Sequence, residues 1–346
     1  MTQRTLSAQE LYEQALAAAD ADRPADAERL LRLAFRVAQG PNYLVTLGVV
    51  LEHQARFEEA RAMFRAAATA TPEEPAIGFP LALNLLRAGD YAEGFRLYER
   101  REVKITRAMT GRPRLSFPEW HGGPVRSLVI LPEQGLGDEI MFNRYVPQLT
   151  AQGVEVTLLC RPSLARLFAP LGVRLLPLGP SVDVTRAEGW VLSPSLPLRM
   201  GTTPANVPEA VYLPGGAGGE GVGVMAVGSL HPDPRRALPK ASADQLLALP
   251  GAVNLDPAAT RAKDFEDTRA IIEGLALVIT VDTAVAHLAG AMGKPCWTLI
   301  PFTPDWRWGE RGPHSPWYPA MRLFRQPKLL DWESVVAEVI AAFEAR

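Results

Sequence analysis

A repeat runs through the first third of this 346-residue chain. If Pro41 opens a unit of about 34 residues, Leu44 stands fourth, Leu47 and Gly48 seventh and eighth, and Leu51 eleventh. Ala60, Phe64, Ala67 and Pro72 then stand twentieth, twenty-fourth, twenty-seventh and thirty-second. A second unit opens at Pro75 and carries Leu81-Ala82, Leu85, Gly94 and Tyr98 at the matching places. A looser unit over residues 8–40 supplies Leu11, Ala15, Ala27, Leu31 and Ala34. Apolar residues recur at helical spacing, and small ones face large ones so that paired helices can approach. One such unit cannot bury its apolar face alone. Stacked units can, which commits residues 1–103 to helix pairs in a short solenoid with a concave face.

These are the signature positions of the tetratricopeptide repeat, with Leu44 in the usual place of Trp and Leu51 in that of Tyr. Such a surface holds a peptide or protein segment, or else braces a neighbouring domain or a dimer contact. Asp20-Ala21-Asp22 falls at an inter-helix turn and reads as solvated loop.

After a connector over Val103–Val125, in which Trp120 is the expected anchor, the pattern changes to short apolar strands alternating with helices. Strands are expected at 126–131, 154–160 and 173–178, with Trp190–Ser193 a further candidate. A helix is expected from about Asp138, with Met141, Tyr145 and Leu149 on one face and Pro147 ending or kinking its last turn. Pro162–Phe168 reads as a short helix. Residues 215–221, GGAGGEG, form the clearest linker. Beyond it the strands are 222–227, 252–256, 275–281 and 296–300, and the helices 242–249, 265–273 and 284–292. Alternation of this kind builds parallel α/β layers. It predicts one half over 104–217 and another over 218–346, with the loops 133–138, 229–236 and 282–287 facing a cleft at the strand ends.

Two corners carry candidate chemistry. Asp282 and Thr283 follow a buried strand and precede a helix, so backbone N–H groups and the positive end of a helix dipole suit a phosphate there. Ala284 opens that helix and His287 lies one turn along the same face. An ordinary capped helix with a packed histidine fits the same spacing. Gly135-Leu136-Gly137-Asp138 is the other corner. Its glycines let a ligand approach backbone closely, but the third glycine of the dinucleotide fingerprint is missing, so no nicotinamide cofactor is expected. Asp138 fits either a helix cap or a reactive carboxylate, and Glu133 stands beside it as the next acid.

The net charge of −2, with acids and bases mixed, gives no reason to expect a nucleic-acid partner. Cys160 and Cys296 each border an apolar run and read as buried thiols. Residues 1–14 carry no apolar signal core, and no apolar run approaches the ~18 residues of a membrane span. A cytoplasmic location is the expectation.

The runs EQGLGD at 133–138, DFEDT at 264–268, ITVDTAVAHLAGAMGKP at 279–295 and PDWRW, SPWYP and MRLFRQ within 304–326 resemble the tetratricopeptide-containing glycosyltransferases. These are bacterial relatives of the ADP-heptose:lipopolysaccharide heptosyltransferase family, and some modify flagellin. The resemblance implies a glycosyltransferase B fold of two Rossmann-like halves, a nucleotide-sugar donor and no cofactor. It implies that Asp138 is the base and that Asp282, Thr283, Ala284 and His287 contact the donor diphosphate. Relatives carry a Trp and then Gly-Asn-Pro-x-His-x-Asn-Asp after the first strand of the second half. Here the run is Met225 to Pro234, which lacks the Trp and the Asn-Asp pair. His231, Arg235 and Arg236 remain as candidate phosphate ligands, since arginine forks match phosphate oxygens, and a solvated loop face fits the two arginines equally well.

The resulting expectation is an inverting transferase acting on a protein, flagellin among the candidates, held by the repeats. No Asp-x-Asp pair lies near the cleft loops, so no metal is expected, and arginines and helix dipoles would neutralise the leaving diphosphate. Two rivals stand beside it: a non-catalytic adaptor with a degenerate transferase domain, and a transferase acting on lipopolysaccharide or another glycan.

Overall fold

The structure, a computed structural model, describes residues 6–102, 111–228 and 234–346. It divides into two compact units: Met1–Arg101 together with Phe302–Arg311, and Glu102–Pro301 together with Gly312–Arg346.

The first unit is built of helix pairs, as the repeat predicts: α1 (Ala8–Asp20) with α2 (Pro24–Val37), α3 (Pro41–Glu52) with α4 (Phe57–Ala70), and α5 (Pro75–Ala88) with α6 (Tyr91–Tyr98). Starts are set locally. Ser7 and Glu10 form a reciprocal capping box on α1, and Pro opens α2, α3 and α5, where its missing N–H has no helical partner to lose. The periodic residues form the core: Leu51, Ala60, Phe64 and Ala67 are fully buried. Gly48 is required by packing, because a Cβ there would lie 2.4 Å from the Phe64 ring.

Phe302–Arg311 departs from the expected boundaries. The sequence expects it in the second α/β half, yet it completes the repeat unit. Trp306 is 2% exposed, and its ring lies edge-on to Phe95 at 5.7 Å and Tyr98 at 6.0 Å. The Arg87 guanidinium donates to Pro304 O at 2.9 Å and to Glu52 at 2.5 Å. Arg61 pairs with Glu310. Trp306 against two aromatic rings, a guanidinium on the Pro304 carbonyl and a partly buried ion pair hold the segment in place.

The second unit contains two parallel sheets. The first has β1 (Ser127–Leu131), α7 (Leu136–Phe142), α8 (Tyr145–Ala151), β2 (Glu155–Cys160), α9 (Pro162–Phe168), β3 (Arg174–Pro177), β4 (Gly189–Leu192) and α10 (Leu196–Arg199), with strand order β3-β2-β1-β4. Trp120 anchors the connector as expected: its N–H donates to Trp190 O at 2.7 Å. Pro147 acts earlier than expected. It sits in the first turn of α8, and the chain breaks at Asn143-Arg144 because Pro147 has no N–H to return to the Asn143 carbonyl.

The second sheet follows with β5 (Val222–Met225), α11 (Lys240–Leu247), β6 (Ala252–Asn254), α12 (Pro257–Thr260), α13 (Phe265–Glu273), β7 (Leu277–Val281), α14 (Ala284–Ala291), β8 (Cys296–Ile300), β9 (Met321–Arg325) and α15 (Trp332–Glu344), in the order β6-β5-β7-β8-β9. β7 is buried at every residue, which explains its unbroken apolar run. The sequence reading leaves β9 and α15 unassigned. They close the sheet and cover it, Trp332, Val335, Val336 and Val339 packing on β5, β7 and Phe324.

The glycine run is also not an open linker. Glu220 N donates to Gly274 O at 2.9 Å, and Lys294 donates to the carbonyls of Gly218, Glu273 and Leu275 at 3.0, 3.0 and 2.8 Å. Gly219 has φ +95°, and a Cβ there would lie 2.4 Å from Gly274 O. Glycine serves close approach at this position. Both cysteines are buried free thiols, pushed up to about 12 by burial. No helix among the described residues is long and apolar enough to cross a membrane.

Candidate functional site

The loop after β1 turns through Gln134 at φ 66°, a left-handed conformation unusual for a side-chain-bearing residue. Helix α7 starts at Leu136, two residues earlier than expected, so Asp138 is not its cap but a residue of its first turn. The carboxylate reaches back and accepts the Gly135 N–H at 2.7 Å. Arg161, directly after β2, ties the loop down: its guanidinium donates to Gln134 O and pairs with Glu139. Its backbone N–H donates to the same carboxylate at 3.2 Å. Glu139 is 1% exposed. Burial pushes its carboxyl up to about 7, against the pull of the Arg161 charge and hydrogen bonds.

In the second half, Thr283 caps α14, its hydroxyl accepting the Val285 N–H at 3.3 Å. Thr280 lies behind it, hydroxyl to hydroxyl at 3.0 Å. The loop after β5 lies against this corner. A Cβ on Gly228 would be 3.2 Å from the Thr283 methyl and 3.9 Å from Asp282 O. Arg235 and Arg236 lie further along this loop, in the single turn Pro234–Arg236, both half-buried. The Trp332 indole donates to Arg235 O at 3.2 Å and ties the turn to α15. His231 lies outside the described residues.

The two corners meet. Helices α7 and α14 pack together, and a Cβ on Gly137 would stand 3.3 Å from Ala284 Cα and 2.6 Å from His287 Cδ2. Gly135, Gly137 and Asp138 are thus brought beside Ala284 and His287, with Thr283 and Asp282 next to them. His287 is only 5% exposed, and its Nδ1 lies 2.8 Å from the Tyr318 hydroxyl. The packed-histidine reading therefore describes its surroundings. DFEDT has a structural part as well: Asp264 caps α13, accepting the Glu266 and Asp267 N–H groups at 3.0 Å each, and its other oxygen meets Arg166 of α9 at 2.9 Å.

Sequence reasoning passed over Glu139, Arg144, Arg161 and Tyr318. The signal available was a charge inside an apolar run. Glu139 precedes Ile140-Met141-Phe142, and Arg161 ends the strand VTLLC. Such residues are seldom buried unless paired.

Helix hairpins of repeat type are combined with two parallel sheets whose loop-to-helix corners meet, an arrangement that supports a tetratricopeptide-containing, heptosyltransferase-like protein. Residues 259–329, which include the Thr283 corner, match the model of Glycosyltransferase family 9 (heptosyltransferase). The chain is similar to Protein FlbA of Caulobacter vibrioides, 28% identical over 79% of this chain and 56% of FlbA, so it spans about half the length of that curated relative. Among solved structures it is similar to the E. coli heptosyltransferase WaaC with ADP-2-deoxy-2-fluoro heptose (12% identity, TM-score 0.45, covering 64% of this chain and 100% of that one). Its repeats are similar to the Sgt2 TPR domain from Aspergillus fumigatus (21% identity, TM-score 0.26, 27% and 62% covered).

Proposed function

We propose that this chain transfers a sugar from a nucleotide-sugar donor to an acceptor hydroxyl, with inversion at the anomeric carbon, and that the acceptor is a protein held by the repeat unit. One observation carries the reading: the family match falls on the α14 corner, and that corner packs against the loop bearing Asp138. The donor diphosphate would lie at the N-terminus of α14, near the Asp282 and Thr283 backbone, with Arg235 and Arg236 supplying charge. Asp138 would take the proton of the acceptor hydroxyl. The hydroxyl oxygen would attack the anomeric carbon, and the bond to the nucleoside diphosphate would break in the same displacement.

The test is nucleotide release from a panel of UDP-, GDP-, ADP- and CMP-sugars, paired with thermal shift. A bound nucleotide at a hundredfold excess over Kd stabilises by about 2.7 kcal/mol. Thermal shift with one donor and nucleotide release when acceptor protein is added supports the reading. Release only with a glycan acceptor moves the substrate to lipopolysaccharide-type glycans. A second reading, a non-catalytic adaptor, is favoured by the sequence run Met225–Pro234, which lacks the Trp and Asn-Asp of relatives. Nucleotide binding without release from any donor would establish it.

A further inference from the structure

We propose that Arg144, Tyr318 and His287 form a clasp that fixes the first half of the second unit against the second half, and so act as positioning residues for the reaction centre. The inference rests on the transferase reading only for its catalytic consequence; the clasp itself rests on geometry. Arg144 sits at the break between α7 and α8 and is 2% exposed. Its Nε donates to Met141 O at 2.8 Å, in the last turn of α7. Its Nη1 crosses to the other half and donates to Trp317 O at 2.7 Å. The guanidinium carbon stands 4.6 Å from the Tyr318 ring centroid and 5.4 Å from that of Trp317. Nη2 has no hydrogen-bond partner among the described residues, so carbonyls and aromatic faces hold this cation.

Tyr318 carries the link onward. Its ring fits the notch at Gly290 of α14, where a Cβ would lie 2.3 Å from Tyr318 Cδ1. Its hydroxyl meets His287 Nδ1 at 2.8 Å. The His287 ring in turn covers Gly137 at the start of α7. The path closes on itself: α7 is gripped at its C-terminal end through Arg144 and near its N-terminal end through His287, and Tyr318 joins the two grips. Asp138 follows Gly137 directly, so its place relative to the α14 corner is set by this path. His287 thereby acts through Gly137 and Tyr318 on the geometry of the corner.

The experiment compares the full chain with Tyr318→Phe, Arg144→Met and Arg144→Lys by amide hydrogen exchange without ligand. Tyr318→Phe keeps the ring and removes one hydrogen bond, worth about a fivefold change in an opening equilibrium. Exchange over both α7 and α14 should accelerate together, about fivefold in Tyr318→Phe and more in Arg144→Met, with β7 and β8 unchanged. Arg144→Lys, which still offers a cation and donors, should recover part of the protection. With the donor from the panel that the wild type uses fastest, kcat should fall while donor affinity stays within about twofold, because α14 still binds it. Wild-type exchange over α7 in Tyr318→Phe, with the fold intact by circular dichroism, overturns the clasp. So does acceleration of α14 alone, which would mean a merely local contact. Absence of transfer in the wild type across the panel overturns the transferase reading and leaves the exchange result to decide the clasp.

Discussion

Gly137→Ala tests what the glycine loop is for, because two explanations predict opposite signs. Gly137 lies within α7 at an ordinary helical φ, so if it only kept space for a donor phosphate, alanine would favour the ligand-free helix by up to ~1 kcal/mol. If it is there for the α7–α14 crossing, alanine is an overpacking error. Its Cβ would lie 2.6 Å from His287 Cδ2 and 3.3 Å from Ala284 Cα. The first separation is about 1 Å inside normal carbon contact. The imidazole has little room to move, being 5% exposed and tied to Tyr318 at 2.8 Å. Overpacking costs about 1–3 kcal/mol, so after the propensity gain the ligand-free protein should lose roughly 1–2 kcal/mol. For a unit of this size that lowers its melting transition by a few degrees, about 2–4 °C per kcal/mol. Calorimetry on the ligand-free full chain reads it. The double variant with His287→Ala provides the check: removing the ring clears the clash, so the pair should fall short of the sum of the singles by more than about 0.5 kcal/mol. A Gly137→Ala protein as stable as wild type, or strictly additive with His287→Ala, refutes the crossing argument.

Glu139→Gln should flatten a pH dependence. The native carboxyl, at about 7 against an ordinary 4.5, holds its proton more tightly than the unfolded chain does. Native protein then binds more protons between those values, and wild-type stability falls as pH rises from 4.5 to 7; the variant should lose that slope in denaturant titrations across the window. Asp138→Asn keeps an oxygen that can accept the Gly135 N–H, so melting should hold while kcat drops about 10²–10⁴-fold; near-wild-type transfer would leave Asp138 only its hold on the Gly135 N–H and pass the base to Glu133. Trp306→Ala should destabilise the first unit by about 3–5 kcal/mol and raise exchange over α6, where Phe95 and Tyr98 lose their edge contacts. Leu16→Asp with Val49→Asp, on exposed apolar positions of α1 and α3, should leave melting within about 0.5 kcal/mol and abolish capture of the acceptor protein. Retained capture would remove the repeats from acceptor binding.

Legibility followed the range of the interactions. The repeat places fixed the helix pairs because each pair buries its own face, and Leu51, Ala60 and Phe64 lie in the core where the period puts them. Strand β7 was legible from a continuous apolar run, a local signal. The α14 corner was legible as a capped helix, but its meeting with Gly137 was not, since 137 and 284 share no pattern in the chain. The glycines at 215–221 misled for a physical reason: composition marks where backbone can bend, not whether a lysine such as Lys294 will hold it down. Pro147 was read one turn late because a proline acts on the carbonyl four residues before it.

The placement of Phe302–Arg311 changes how the acceptor question can be asked. The chain leaves β8 at Ile300, contributes these residues to the repeat unit, and rejoins the second unit at Gly312. The repeats are therefore not a module that can be cut away. Deleting residues 1–101 would strip the cover from Trp306 and Trp308, now 2% and 0% exposed, and from the Glu310 carboxylate that pairs with Arg61. Two bared tryptophans beside an unpaired acid are enough to make a shortened protein associate with itself or pull on the strands at either end of the segment. Loss of acceptor capture after such a cut would follow whether or not the repeats bind anything. Surface changes at Leu16 and Val49 leave that buried contact whole, so they separate a surface that recruits a protein from helices that merely enclose Phe302–Arg311.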